Sequence, residues 1–311
     1  MTSSPVRCAI IGYGRIGRLC HAITREASLP LSIVAVADPL PPTQAGPARV
    51  VSDYRQLFSA PDVEAVIIAT PPASHVEVAR DALLAGRDVL LEKPPARTVG
   101  EAEELRELAG RSGRVLVYAF HAQHNPAVER AAAELKAATI LQADIVFKEN
   151  ASRFHPPGSF AFAEGALRDS GVNAISILTR LLPSTTTLSV THAELRVAGE
   201  SAADTRAIVR FRFGNVGSGL VDVDTGYVGP EARQVTLRTS MGTAHLDIVR
   251  GTFAFDDHVV APQVSADTMR YEYRQLLLAF AVAVRGRLSS ANPREVAWLD
   301  SAITVAHAGS A

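Results

Sequence analysis

Val6-Arg7-Cys8-Ala9-Ile10-Ile11-Gly12-Tyr13-Gly14-Arg15-Ile16-Gly17 decides the fold of this chain. An apolar run with the character of a buried strand ends in three glycines, and a helical pattern follows at once. That is the dinucleotide-binding fingerprint in the setting it needs. Gly12 allows the tight turn, Gly14 lets the backbone approach a pyrophosphate, and Gly17 lets the helix pack close to the strand. Tyr13, Arg15 and Ile16 complete the cradle, at a helix N-terminus whose unpaired N–H groups and positive dipole end meet phosphate.

A second strand, Ser32 to Ala37, ends in Asp38, about twenty residues beyond the last glycine as the fingerprint requires. A carboxylate there accepts hydrogen bonds from ribose hydroxyls and repels a 2′-phosphate. Asp38 therefore predicts NAD as the cofactor in preference to NADP. The plainer reading, a strand-ending Asp that opens a turn with Pro39, does not account for the glycines upstream.

Outward from that motif, the chain is long enough for two domains, with 311 residues. A formal net charge of −1 gives no sign of nucleic acid or an anionic membrane as partner. No apolar run approaches the ~20 residues of a membrane span. Met1 to Pro5 is a short polar lead without a signal-peptide h-region, so the cytoplasm is the expected compartment. Cys8 and Cys20, the only cysteines, fall in the first strand and first helix as small buried residues.

Residues 1–121 alternate strands and helices, which predicts a doubly wound parallel sheet, a Rossmann domain. Ala65 to Ala69 and Asp88 to Leu91 read as further strands, ending in Thr70-Pro71-Pro72 and Glu92-Lys93-Pro94. Ser74 is a candidate helix cap ahead of His75, and Thr98 with Glu101 a capping box. Residues 122–311 change character and read as an α+β domain with a large, mainly antiparallel sheet. In Thr205 to Phe213, Ala207, Val209, Phe211 and Phe213 alternate with Arg206, Arg210 and Arg212. A helix is expected over Asp169 to Leu182 and another over Tyr271 to Val284. Asn292, Pro293 and Glu295 read as cap, first turn and capping-box partner of a last helix.

Lys93 lies just past the carboxyl end of a parallel strand, where open α/β sheets bind ligands. It can exchange a proton with a substrate oxygen or hold that oxygen; by position alone it is equally a surface lysine before a turn. Asp169 and Asn173 are four apart on a predicted helix and share a face, although Asp169 also suits a helix N-terminus. Glu149 and His155 flank a loop leaving a strand, where solvated side chains are commoner than sites. His121 and His124 have a metal-like spacing, but no third ligand accompanies them and no metal site is expected.

Taken in order, these pieces resemble the Gfo/Idh/MocA oxidoreductase superfamily. The order is Gly12-x-Gly14-x-x-Gly17, Asp38, Ala69-Thr70-Pro71-Pro72 with His75, Glu92-Lys93-Pro94, then Asp169-x-x-x-Asn173. Asn173 stands where the superfamily usually has histidine. Lys148-Glu149, His155-Pro156, the stretch Arg168 to Ile177 and His121-Ala122-Gln123-His124-Asn125 look like the bacterial aldose 1-dehydrogenases acting on D-galactose and L-arabinose. The resemblance implies cofactor contacts from the glycine loop, Asp38, Thr70, Pro71, His75, Glu92 and Lys93. It implies catalysis by Lys93 and Asp169, and sugar contacts from Glu149, His155, Asn173 and His121. The implied reaction is oxidation of an aldose at its anomeric carbon to the lactone, in a homodimer or homotetramer. Oxidation of another polyol or cyclitol, reduction of a small carbonyl compound, and a non-catalytic cofactor-binding regulator stay open.

Overall fold

The computed structural model of the chain describes residues 4–26, 29–40, 45–46, 48–153, 164–197, 203–256, 258–260 and 267–309. The chain forms two compact units. One comprises Met1–Ala119 with Tyr273–Pro293, the other Phe120–Glu272 with Arg294–Ala311. The sequence suggests one boundary at 121/122; it does not show that Tyr273–Pro293 returns to the first unit. That return has a physical cause. Tyr273, Leu276, Leu277 and Phe280 are buried, and Ser290 and Ala291 donate backbone N–H bonds to the Leu116 carbonyl of an edge strand.

The first unit holds a six-stranded parallel sheet in the order β3-β2-β1-β4-β5-β6. Its strands are β1 (Val6–Ile11), β2 (Leu31–Ala37), β3 (Arg49–Val51), β4 (Ala65–Ile68), β5 (Asp88–Glu92) and β6 (Leu116–Ala119). β1 and β4 are buried along almost their whole length, as strands covered on both faces must be. Ile11 pairs with Ala37 and with Ile68, and Ile68 with Leu91. The carboxyl ends of four strands therefore finish level, which brings the segments after Ile11, Ala37, Ile68 and Leu91 to one edge of the sheet.

Helices α1 (Arg15–Glu26), α2 (His75–Leu84) and α3 (Val99–Ser112) connect these strands. Thr98 and Glu101 form the capping box expected of them. Ser74 does not cap α2. It closes a 3-10 turn, its backbone is already helical at φ −102 and ψ −3, and its hydroxyl bonds back to Thr70 Oγ1 and the Pro71 carbonyl, both at 2.9 Å.

The second unit is built on an eight-stranded sheet, order β14-β13-β12-β11-β7-β10-β9-β8. β7 (Ile140–Lys148) and β10 (Gly217–Asp224) pair in parallel; every other pairing is antiparallel. The remaining strands are β8 (Leu188–Arg196), β9 (Arg206–Phe213), β11 (Ala232–Thr239), β12 (Gly242–Asp247), β13 (Thr252–Phe255) and β14 (His258–Val260). One face, with Ile145, Phe147, Val209, Phe211, Val221 and Leu237, is buried. It is covered by α4 (Pro126–Glu134), α5 (Val172–Leu181) and α7 (Arg294–Ala308). The opposite face carries the alternating charges read from the sequence, and Arg206 makes two 3.0 Å bonds to Asp222. The helix α6 (Thr268–Gly286) supplies Glu272 to this unit and Tyr273 to the other. Among the described residues, no helix is long and apolar enough to cross a membrane.

Gly17 ties α1 to the glycine turn. A methyl group there meets the Gly12 carbonyl oxygen in hard contact, with Ile10 at 3.1 Å behind it. Gly17→Ala should lower stability by about 1–3 kcal/mol and weaken dinucleotide binding, read by thermal unfolding with and without NAD. An unchanged melting temperature in both conditions would contradict the close packing.

Candidate active site

In the first unit, the level strand ends gather the segments expected to form a phosphate cradle. Gly12 has φ +90 and faces the Ala69 carbonyl, where an added Cβ lies 2.6 Å from the oxygen; only glycine makes this turn. Above Gly14 the space is open, and a methyl group added to it meets nothing within 4 Å among the described residues. A surface that glycine leaves bare beside a helix N-terminus fits a pyrophosphate.

Asp38 lies at the mouth of this cradle. Its carboxylate accepts from the Tyr13 N–H at 2.7 Å and the Leu40 N–H at 2.9 Å, so its position is set by the backbone of two loops. Tyr13 is itself fixed, its hydroxyl 2.8 Å from His21 Nδ1 and its ring beneath the Arg18 guanidinium. Arg15 and Ile16 open α1 as the fingerprint requires.

Thr70, Pro71 and Lys93 follow β4 and β5. His75 is buried, with Nδ1 2.9 Å from the Pro94 carbonyl and Nε2 2.9 Å from the Thr70 carbonyl. With both ring nitrogens on backbone, His75 ties the Thr70 and Pro94 segments together. Glu92 is buried too. It accepts from the Tyr273 hydroxyl at 3.0 Å and from the Lys93 N–H at 3.2 Å, so it anchors the turn that presents Lys93. Burial, reinforced by the Glu92 charge, keeps the Tyr273 phenol protonated well above its ordinary range.

In the second unit, Glu149 follows β7 and is buried. One carboxylate oxygen accepts from Ser170 Oγ, the other from Arg233 on β11. Burial works against the Arg233 charge, but Glu149 and Glu231 offset it and hold the guanidinium above its usual pKa. Arg233 Nε is 3.0 Å from Glu231, though not aligned to donate. Asp169 sits half-buried in a π-helical turn, Leu167–Gly171, immediately before α5; such turns recur at functional sites. Asn173, on the first turn of α5, has a buried side-chain oxygen with no hydrogen-bond partner among the described residues. His121 is buried and bonded through Nδ1 to Glu272 at 2.6 Å, and Glu272 also accepts from Asn125 at 2.6 Å. His155 lies outside the described residues.

Sequence reasoning missed Ser170 and Arg233 as partners of Glu149, and Asp204, which accepts from the Leu167 N–H at 2.9 Å. Ser170 sits inside the quoted resemblance and was legible there. Arg233 is 84 residues from Glu149, and no local pattern links them. Glu295 is also read differently. Its buried carboxyl accepts from Thr179 Oγ1 instead of closing a capping box, and burial holds its pKa above the ordinary carboxylate range.

Fold and cradle together define a nicotinamide dinucleotide-binding Rossmann unit joined to a sheet-based second unit. Residues 6–121 match the Gfo/Idh/MocA oxidoreductase family, NAD-binding Rossmann fold. The chain carries a domain of that family. It is 29% identical over 251 residues to galactose 1-dehydrogenase of Pseudomonas fluorescens, covering 78% of each chain. The crystal structure of D-galactose-1-dehydrogenase from Rhizobium etli superposes with TM-score 0.85 and 28% identity, over 98% of this chain and 96% of that one. D-glucoside 3-dehydrogenase of Escherichia coli (strain K12) is 39% identical over 127 residues, 39% of this chain and 36% of that protein.

Removing Arg233 strands a buried carboxylate. Its side chain is 26% exposed and that of Glu149 8%, so Arg233→Met should cost about 3 kcal/mol, the low end for a broken buried pair. Arg233→Lys should cost less; equal melting temperatures for Met and wild type would overturn the pairing.

His124 titrates with the opposite balance. Burial first, then the Arg180 and His121 charges, push its pKa down to about 4, with Glu272 opposing. The unfolded chain, near 6.5, then binds the proton more readily than the folded one. Stability should fall by about 3 kcal/mol as pH drops from about 6.5 to about 4. His124→Gln should remove that component from the pH dependence of unfolding, and an unaltered acid profile in the variant would count against it.

Proposed function

We propose that the chain is an NAD-dependent dehydrogenase that oxidises a cyclic aldose, of the D-galactose or L-arabinose type, at its anomeric carbon to the lactone. The reach of one match carries this reading. An alignment over 78% of the chain is longer than the whole first unit, and any stretch of that share includes Lys93, Glu149, Asp169 and Asn173. The likeness to a galactose 1-dehydrogenase therefore extends through the residues assigned to sugar and is not confined to the cofactor domain.

Bound nicotinamide supplies the hydride acceptor. Hydride leaves the anomeric carbon as its hydroxyl loses a proton, so a group beside that hydroxyl must take the proton or offset the charge left behind. Lys93 and Asp169 are those groups. Glu149 keeps lone pairs beyond those used by Ser170 and Arg233, and the bare oxygen of Asn173 accepts a further hydroxyl. Holding the ring in this way is itself a large share of catalysis. Asp38, with its carboxylate fixed by two backbone amides, favours NAD over NADP through repulsion of a 2′-phosphate.

A panel of D-galactose, L-arabinose, D-fucose and a cyclitol, each with NAD and with NADP and followed at the nicotinamide absorbance, tests the reading. The aldoses should react with NAD and only weakly with NADP. Lys93→Met should lower kcat by about 100-fold or more with the melting temperature retained. Reaction of the cyclitol alone would transfer the chain to a different substrate class. Tight NAD binding with no turnover on the whole panel would make it a cofactor-binding regulator.

A further inference from the structure

At the other end of the first unit's sheet, where the parallel strands begin, four arginines line an open cavity of about 370 Å³. Arg87 and Arg114 lie on the segments entering β5 and β6, and Arg285 and Arg287 at the end of α6 and just beyond it. The five residues of β5 span roughly 16 Å between this end and Lys93. The cavity is thus remote from the dinucleotide cradle and independent of the activity proposed above.

Two carboxylates share the wall, and both are already engaged. Glu64 accepts from the Arg7 N–H at 2.9 Å and from Arg285 at 3.2 Å. Asp88, fully buried, accepts from the Val115 N–H at 2.9 Å and from Arg287 at 2.7 Å. Arg285 and Arg287 are accounted for as charge-matched ties between the end of α6 and the sheet.

Arg87 and Arg114 are not. The acceptors of Arg87 are the Val63 and Phe58 carbonyls, and those of Arg114 the Gly86 and Ser112 carbonyls. A carbonyl takes a hydrogen bond but does not cancel a unit charge. Asp62, next to two lining residues, is 3.6 Å from Arg49 instead. Each of the two guanidiniums bonds through two of its five N–H groups, and Arg87 Nε is buried with no acceptor among the described residues. Carbonyl bonds hold both side chains rigid, so little ordering is left to accompany binding. The wall carries two positive charges with no counter-ion among the described residues.

We propose that this cavity binds a small phosphate monoester. The dianionic head matches the uncompensated charge of Arg87 and Arg114 and the planar donor pattern of guanidinium. The volume exceeds that of the head alone and lies in the range of small-molecule sites. A free phosphate ion shares the head but leaves most of that space unfilled.

Isothermal titration of the NAD-saturated protein isolates this cavity, because the dinucleotide cradle is then occupied. Glycerol 3-phosphate, AMP and inorganic phosphate are the probes. At least one monoester should bind saturably at millimolar concentration or below, and more tightly than inorganic phosphate. Arg114→Gln should weaken that binding about tenfold or more, with Arg114→Lys intermediate and NAD affinity unchanged in both. Absence of saturable binding for every probe, or equal binding by Arg114→Gln and wild type, overturns the site. Inorganic phosphate binding as tightly as the monoesters overturns the monoester assignment. If Arg114→Gln does not fold, Arg114→Lys serves alone: it keeps the charge but loses the fork, and unweakened binding there also sinks the proposal.

Discussion

A carboxylate removed from water must be met by donors, and this requirement organises both halves of the molecule. Asp88, Glu92, Glu149, Glu272 and Glu295 are all buried. Asp88 is held by Arg287, Glu92 by Tyr273, Glu149 by Arg233 and Ser170, and Glu272 by His121 and Asn125. Glu295, with one oxygen on Thr179 and the other without a partner among the described residues, instead has its pKa raised by burial. Breaking such a contact leaves an unpaired buried charge, a larger loss than the net gain from making it. These contacts therefore say more about which arrangement the chain adopts than about how stable it is. Glu272 and Tyr273 show how economical the scheme is: adjacent on α6, they satisfy groups in different units.

On the proposed function, the same contacts prepare the chemistry. Glu92 and His75 are the groups beneath the loops that carry Thr70, Pro71 and Lys93, so the turn at the sheet edge is set before any ligand arrives. Arg233 and Ser170 fix the Glu149 carboxylate in the second unit. Preorganisation of this kind lets a polar site act without reorienting its dipoles during the reaction. Asn173 differs from its neighbours in keeping a buried oxygen without an internal donor among the described residues, which is costly in a folded protein unless a ligand completes it.

Local patterns are legible where a few adjacent residues carry all the physics. The glycine turn, Asp38 at the end of β2 and the Thr98–Glu101 capping box depend on backbone geometry within a short stretch. The expectations for Ser74 and Glu295 fail for different reasons. The Ser74 hydroxyl turns back to the adjoining Thr70–Pro71 segment, a local competitor, whereas Glu295 is drawn off by Thr179, 116 residues away. The parallel pairing of β7 with β10 is likewise invisible in the sequence, because alternation reports which face of a strand is buried and not which way its neighbour runs.

The sequence by itself determined the Rossmann sheet, the cofactor loop, the charged and apolar faces of the second sheet, and the Gfo/Idh/MocA likeness. The first three are written in residues close together along the chain, and the likeness in the order of such short motifs. Tertiary structure alone decided that Tyr273–Pro293 rejoins the first unit, that Arg233 holds Glu149, and that Arg87 and Arg114 face a cavity without carboxylate partners. Charge pairing and burial depend on distance in space, and the partners concerned are separated by tens to hundreds of residues. Only the folded chain sets those distances.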